Sequence, residues 1–526
     1  VREAMAIPTS FPATGAPSAT GSNPTKRTIA ALVGILLAAI MAGLNARVSA
    51  LALADLRGQL GYGIDQGSWI NTAYSAGELA IMPFAAWFAI TLSVRRFHLC
   101  LLVSCTILAA ILPYVQNLNL LLVLRFAQGI SCGGMIPILM MAALKFLPLS
   151  IRLHGLALFA LTSTFAPNVS IWLTGQWTDV LVDWRFVYWQ VIPMAAFSSL
   201  LVGWGLPKEP IQIARFRHAN WFGMAFAIPS LCLLTIGLDQ GSRLDWFNSP
   251  LITTTLTVGC VLLVSFFLSE WHHPQPFLKL QMLSRRNLGL GLVIFACLLV
   301  VLLSGSMVPS TFLGQIQGYK ALQGAPLGLI IALPQLFLGS IVALILYQKW
   351  IDARIIFVIG LCLISLACLD ASFVDSDWNG DQFIKAQVLQ ALGQPMAIVP
   401  MLFLITSVVH PSEGPYVSGT INTLRVFSTL SGAAVVGQFV TVRGRFHSEM
   451  LLNNAGLVGS SPANPIELPT LQNLIADQAV VLATADAYRL LGSLGILLIP
   501  LVLGLSYIPS PRAGTGTNPR SIGSTK

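Results

Sequence analysis

The chain has 526 residues, 55% of them hydrophobic and 9% charged, whereas soluble domains carry roughly 25% charged residues. That deficit excludes a soluble globular protein of this length, because too little charge is left to cover its surface, and it points to lipid as the solvent. The formal net charge of +9 does not indicate a nucleic-acid partner: the basic residues sit in short clusters between apolar runs, with no basic stripe and interleaved aromatics.

Residues 1–27 are rich in Pro, Ser, Thr, Gly and Ala and read as a disordered cytoplasmic tail. A helix needs about 20 apolar residues to cross the hydrocarbon core. Such runs fall near 28–53, 67–91, 97–115, 119–143, 153–176, 186–206, 219–238, 249–269, 287–310, 324–347, 354–373, 383–408, 419–441 and 487–508. They are continuous, without the alternation of a barrel strand, so the expected fold is all-α with fourteen transmembrane helices.

With a cytoplasmic N-terminus, the inner segments hold 18 of the 29 basic residues and the outer segments hold 8. The positive-inside rule therefore places both termini in the cytoplasm. Two segments depart from short loops. Residues 442–486 read as a long outer loop with Pro462, Pro465 and Pro469, able to cap the outer mouth or touch a partner. Residues 270–286 read as a cytoplasmic link in which His272 and His273 lack companions for a metal site. The eight cysteines all lie in apolar runs, without metal-ligand or disulfide spacing. Residues 509–526 form a second cytoplasmic tail.

Ionisable residues inside a span are expensive and persist where they face an interior or a water-filled cavity. Arg47, Glu78, Arg125 and Arg425 fall inside spans. At 1.5 Å per residue, Arg47 and Arg125 lie roughly 9 Å from the outer face and Glu78 roughly 17 Å. Glu78 is therefore expected to pair with Arg125 or Arg47, either as a proton or substrate switch or as a static pair fixing helix packing. A weak internal echo links Arg125-Phe-Ala-Gln128-Gly129, nine residues from Gln128 to Pro137, with Gln387-Val-Leu-Gln390-Ala391, ten from Gln390 to Pro400. Repeated helical halves are a common way of building transporters.

In these marks the chain resembles the fourteen-helix drug:proton antiporters of the EmrB/QacA type in the major facilitator superfamily. Leu124-Arg125-Phe-Ala-Gln128-Gly129 with Pro137 is similar to the R-x-x-Q-G motif of the fourth helix. Gln66-Gly-Ser-Trp69-Ile-Asn-Thr-Ala-Tyr74 is similar to the start of the second helix. Ala166-Pro167 lies at the core of the antiporter motif, with Gly175 remaining from its later glycine pair. Trp184-Arg185-Phe186 with Pro193 resembles the opening of the sixth helix, and Arg425 with Gly432 the R…G pattern of the thirteenth. The resemblance implies two six-helix bundles, 28–206 and 287–508, separated by two linker helices and a cytoplasmic link in 207–286.

The departures from the family pattern are specific. Leu44-Asn45-Ala-Arg47 stands where the first-helix motif carries an aspartate. The loop after the second helix keeps only its terminal basic pair, Arg95 and Arg96, as a gating element; its aspartate and glycines are gone. Asn168 follows the fifth-helix proline. These losses leave Glu78, with Arg125 and Arg47, as the candidate proton-coupling group. Asn45, Trp69, Tyr74, Gln128, Asn168, Gln390 and Arg425 are candidates to line the substrate cavity. Gly129, Pro137, Pro167, Gly175 and Gly432 are candidates for helix packing. Three arginines against one acid favour neutral or anionic amphiphiles over lipophilic cations as cargo.

The expected function is export of small molecules across a bacterial inner membrane by proton antiport, without metal or other cofactor. A periplasmic adaptor and an outer-membrane channel are the partners the resemblance implies. An uncoupled or uptake carrier of the same fold is the alternative. A membrane-embedded enzyme or sensor is a remote one, since HExxH, GxSxG and P-loop patterns are all missing.

Overall fold

The computed structural model describes residues 25–148, 151–457 and 467–511. The tail expected over 1–27 lies outside these as far as residue 24, and the tail expected over 509–526 lies outside from residue 512. Among the described residues fourteen helices are long and apolar enough to cross a membrane. They are α1 (Lys26–Leu51), α2 (Ile64–Leu92), α3 (Val94–Tyr114), α4 (Leu118–Phe146), α5 (Arg152–Val180), α6 (Phe186–Gly205), α7 (Trp221–Gln240), α8 (Pro250–His272), α9 (Arg286–Ile316), α10 (Ala321–Leu346), α11 (Ala353–Ala371) and α12 (Gly380–Thr406). The last two are α13 (Gly414–Leu457) and α14 (Glu467–Leu503).

Local chemistry sets several of the starts. The side chains of Thr25, Asn117, Asn220, Asp352 and Asn379 each accept a bond from a backbone N–H in the first turn of α1, α4, α7, α11 and α12. Each satisfies one of the donors a helix leaves free. Helices in lipid tolerate internal proline because neighbouring groups take up the freed backbone partners. The carbonyl of Pro137 in α4 accepts the Ser418 hydroxyl of α13 at 2.6 Å, which ties α4 to α13.

Within α1–α6, the principal contacts are α2 on α4 and α1 on α5 and α6; within α9–α14, they are α11 on α12 and α14, and α13 on α14. The two groups meet along α5–α10 and α2–α13. The pair α7–α8 packs on itself and, through α7, against α2 and α13. At the ends of these helices Arg243 reaches Asp65 at 2.5 Å and Trp246 donates to Gln438 at 2.8 Å, so the α7–α8 turn touches both groups.

The opposite end of the bundle gathers residues 27, 205, 287 and 506: Gly205 closes on the backbone of Arg27, and Asn287 and Ser506 exchange two hydrogen bonds. Here Arg285 holds Glu413 through two bonds, 2.7 and 3.0 Å, with Lys279 at 3.4 Å. These bonds keep the Glu413 carboxyl far below the usual carboxylate range, at about 2.

The main departure from expectation is the segment 442–486. It is not a loop: α13 continues to Leu457 and α14 begins at Glu467; only the residues between them lie outside the described set. At 44 and 37 residues the two helices are roughly 66 and 56 Å long, against about 30 Å of hydrocarbon. Loss of hydrophobicity marks where the helices leave the membrane, not where they end. Asp486 clamps the pair together, accepting from Arg443 at 2.6–2.7 Å, His447 at 2.8 Å and Arg489 at 3.2 Å. The two helices bury polar faces against one another that read singly as loop.

Candidate functional site

Arg125 is wholly buried in α4. Its Nη1 donates to Gln128 at 2.6 Å and its Nη2 to Ser49 of α1 at 2.8 Å. The guanidinium also lies over the rings of Tyr74 (4.5 Å) and Tyr188 (5.4 Å). A guanidinium is planar and weakly hydrated, so aromatic faces and neutral acceptors can house it away from water. Tyr74 is held in turn by its hydroxyl on the Ala42 carbonyl, 3.3 Å.

Arg425 is buried on α13 and crosses to the other group of helices. Its Nη1 donates to the hydroxyls of Thr162 and Ser163 on α5, both at 2.8 Å, and its guanidinium lies 5.5 Å from the Phe159 ring. Arg47 is surrounded by helices yet its side chain is exposed, consistent with a position lining the space between the two groups of helices.

Glu78 is 8% exposed and has neither a salt bridge nor a hydrogen bond among the described residues. The expected pairing with Arg125 or Arg47 is therefore not formed. Arg125 instead donates to Ser49 and Gln128, and its Nε is left without a partner. A buried carboxyl without a fixed partner is free to exchange a proton or to meet a ligand.

The remaining expected residues distribute around this centre. Asn45 is buried, with Nδ2 3.6 Å from the Cys132 sulfur. Asn168 donates to the Thr164 carbonyl at 2.7 Å and leaves its Oδ1 unbonded. In the other group Gln390 donates to Ser304 at 2.8 Å and accepts from Gln394 at 3.3 Å. Trp69 is half-buried near the start of α2, away from the charged cluster in sequence and depth. Gly129 sits where an added Cβ would lie 2.1 Å from the Tyr74 carbonyl oxygen, which lets α2 and α4 touch backbone to backbone. Gly175 abuts Leu322 of α10, and Gly432 abuts Val300 and Leu303 of α9. The Pro167 carbonyl accepts from Ser170 at 2.7 Å. Arg95 reaches the Leu206 carbonyl at 3.3 Å, fastening the α2–α3 turn to the end of α6, while Arg96 is exposed.

Sequence reasoning missed Ser49, Tyr188, Thr162, Ser163 and Gln335. Hydroxyls and amides cost little in a span, so nothing in hydropathy flags them; only the need of each buried guanidinium for acceptors signals that some must exist. It also missed the Thr72 contacts with Asp239 and Gln240, which tie α2 to α7.

The sequence profile of the Major Facilitator Superfamily matches residues 35–433. Probable multidrug resistance protein EmrY of Escherichia coli (strain K12) is 24% identical over 513 residues, covering 92% of this chain and 96% of that protein. Multidrug export protein EmrB of the same strain is 22% identical, covering 92% and 96%. Fatty acid resistance protein FarB of Neisseria gonorrhoeae is 22% identical, covering 89% and 94%. Among solved structures, the proton:xylose symporter XylE superposes with a TM-score of 0.56 at 12% identity, covering 93% of this chain and 98% of that one. The human organic anion transporter MFSD10 gives 0.54 at 14%, covering 91% and 100%. At these identities the structural likeness shows the fold.

Proposed function

The chain belongs to the major facilitator superfamily as a divergent transporter of the EmrB type, and from that premise we propose that it exports neutral or anionic amphiphiles in exchange for protons. One observation carries this reading. Arg125 and Arg425 are buried on neutral partners, Arg425 bridging from α13 to α5, and the Glu78 carboxyl on α2 is buried with neither a salt bridge nor a side-chain hydrogen bond among the described residues.

An interior with that balance repels lipophilic cations and attracts acids. Glu78 is the proton carrier: ionised, it accepts a hydrogen bond from the hydroxyl or undissociated acid group of an incoming substrate whose other oxygen meets Arg425; protonated, it no longer offers that acceptor, so proton and substrate exclude one another as exchange requires. Arg125, already bound to Ser49 and Gln128, sets the background potential. Asn45, Gln128, Asn168, Gln390 and Arg425 supply polar contacts at the interface of the halves, Tyr74 and Trp69 apolar ones. The excess of basic residues at the end carrying Lys26 and Ser506 supports an inner-membrane protein with both termini cytoplasmic. The projecting α13–α14 hairpin then faces the periplasm, where an adaptor serving an outer-membrane channel would meet it. The names of EmrB, EmrY and FarB support export of diverse compounds, fatty acids among them.

The test is substrate-triggered proton release from everted vesicles, corrected against vesicles lacking the protein. Wild type releases protons on addition of an aromatic or fatty acid; Glu78→Gln folds normally and does not. Release that persists in Glu78→Gln removes Glu78 as the carrier. The neutral Asn45 at the family's acidic position favours a second reading, an uncoupled carrier; transport by wild type with no linked proton flux selects it. Protection against cationic dyes without effect on acids overturns the cargo.

A further inference from the structure

Two of the cysteines meet inside the first group of helices. Cys105 of α3 and Cys132 of α4 are 27 positions apart in sequence, and both are wholly buried with their sulfurs 3.3 Å apart. No other pair of cysteines touches among the described residues. The neighbouring residues fix this pairing of the helices. The hydroxyls of Ser104 and Ser131 lie 2.9 Å apart, and an added Cβ at Gly134 would stand 2.8 Å from Leu101. Serine and cysteine each carry one heavy atom beyond Cβ, so two such contacts in succession bring the backbones of α3 and α4 close together. From 3.3 Å the sulfurs need to approach by roughly 1.2 Å to reach the length of a disulfide, a movement that small side-chain rotations supply.

Burial in apolar surroundings leaves a thiol inert. Cys132 has polar neighbours instead. Arg125, Gln128 and Cys132 form one stripe of α4, spaced three and four residues apart. Ser49 and Asn45, one turn apart on α1, face it: Ser49 accepts from Arg125, and Asn45 donates to the Cys132 sulfur at 3.6 Å. Along this seam three polar atoms are buried without a partner, the Arg125 Nε, the Gln128 Nε2 and the Asn45 Oδ1. Buried donors and acceptors of this kind are met by small polar molecules. Two donors and an acceptor beside a thiol suit hydrogen peroxide as they suit water, since it is uncharged, little larger, and both donates and accepts.

We propose that Cys105 and Cys132 are an oxidisable dithiol, and that hydrogen peroxide admitted to the seam between α1 and α4 converts it to a disulfide. The Cys132 sulfur attacks one peroxide oxygen. The O–O bond breaks, the thiol proton leaves with the other oxygen as water, and Cys132 becomes a sulfenic acid. The Cys105 sulfur then attacks the sulfenyl sulfur. An S–S bond forms, the S–OH bond breaks, and a second water carries off the Cys105 proton. Two thiols are oxidised and one peroxide is reduced to two waters. The new bond draws the Cys132 sulfur toward α3 and away from the Asn45 amide, on the face of α1 that also holds Arg125. Oxidation therefore slows export. That last step alone rests on the export reading; the bond does not.

The test uses the full chain in proteoliposomes, treated with hydrogen peroxide, then denatured, alkylated, digested and analysed by mass spectrometry. Most chains yield a peptide cross-linked between Cys105 and Cys132, which a phosphine reductant removes, while the other cysteines remain alkylated. Cys105→Ser gives no cross-link and halts Cys132 at the sulfenic acid, which dimedone traps. Peroxide slows export of an aromatic acid by the wild type at least threefold, and the phosphine restores it. Cys100→Ser, a change at an exposed cysteine, responds to peroxide as the wild type does. Cys105 and Cys132 that stay reduced while the exposed Cys100, Cys260 or Cys362 react overturn the proposal. So does Cys132 that passes to sulfinic acid in the wild type without linking. A bond that forms while export is unchanged overturns the coupling to Asn45. A bond that forms in a chain exporting no acid, with or without peroxide, upholds the dithiol and defeats the export reading, so the two failures are distinct.

Discussion

α4 and α12 occupy corresponding places in the two groups of helices. Both are long and largely enclosed, and both press a glycine against a neighbour: Gly129 on α2, and Gly393 on α11, where an added Cβ would meet Ile364 at 2.8 Å and the Gly360 carbonyl oxygen at 2.9 Å. Both carry glutamine and a later proline. They differ in what fills the inward face. α4 holds Arg125 on Gln128 and Ser49; α12 holds Gln387, Gln390 and Gln394 and no charge in its buried stretch. Between the two groups, charge is concentrated on α1, α2 and α4, to which the second group adds Arg425; its other charges among the described residues, such as Arg443 and Asp486, lie toward the helix ends. One side thus presents charge and the other neutral amides.

The comparison breaks most severely at the glycines. Gly129→Ala places a methyl 2.1 Å from a backbone oxygen, so α2 and α4 must separate and Tyr74 and Glu78 move with them. The expected cost is about 3 kcal/mol or more. Gly393→Ala meets its neighbours at 2.8 Å or beyond, and a cost of about 1–2 kcal/mol is expected from overpacking. Thermal unfolding in detergent separates the two variants; equal losses would mean the two helix pairs are packed alike.

All fourteen helices were legible from hydropathy, because a span must be long and apolar whatever it packs against. The family was legible too, from motifs around Arg125, Pro167 and Arg425. The ends of α13 and α14 were not. Arg443, His447 and Asp486 look like loop residues singly, and become helical where they satisfy one another across two helices. At the site, burial of Glu78 and Arg125 was readable from their place in spans. Their partners were not: Ser49 lies 76 positions and Thr162 263 positions from the arginine each serves, and a hydroxyl in a span leaves no trace in hydropathy.

Next in size is the contrast between Arg125 and Gln390. A buried guanidinium loses much hydration, and its partners here are neutral. Arg125→Met therefore lowers stability by only about 1–2 kcal/mol, the cost of the orphaned Ser49 and Gln128 being partly offset by removal of a buried charge, yet reduces transport at least tenfold. Gln390→Leu costs a similar ~1 kcal/mol through Ser304 but leaves more than a third of transport. Paired unfolding and vesicle-uptake measurements decide it. A loss of several kcal/mol in Arg125→Met would make that arginine a packing element.

The smallest effects lie at the end of the bundle carrying residues 27 and 506, where each group has an acid–base contact. Lys145–Glu209, on the α1–α6 side, joins side chains 42 and 38% exposed at 3.2 Å. Water screens such a pair, and Glu209→Gln is expected to cost less than ~0.5 kcal/mol. Arg285–Glu413, on the α9–α14 side, is bidentate around a carboxyl only 9% exposed. The folded value of about 2 lies below the ordinary 4.5. The contribution is therefore complete above pH 4.5 and is lost as pH falls through the interval down to about 2. Because Arg285 is a third exposed, about 1–2 kcal/mol is expected at neutral pH after screening. The melting-temperature gap between wild type and Glu413→Gln should hold constant from pH 7 to 5 and narrow steadily from pH 4.5 to 3. A gap independent of pH throughout that range would mean that the substitution acts through shape and not through the charge of Glu413.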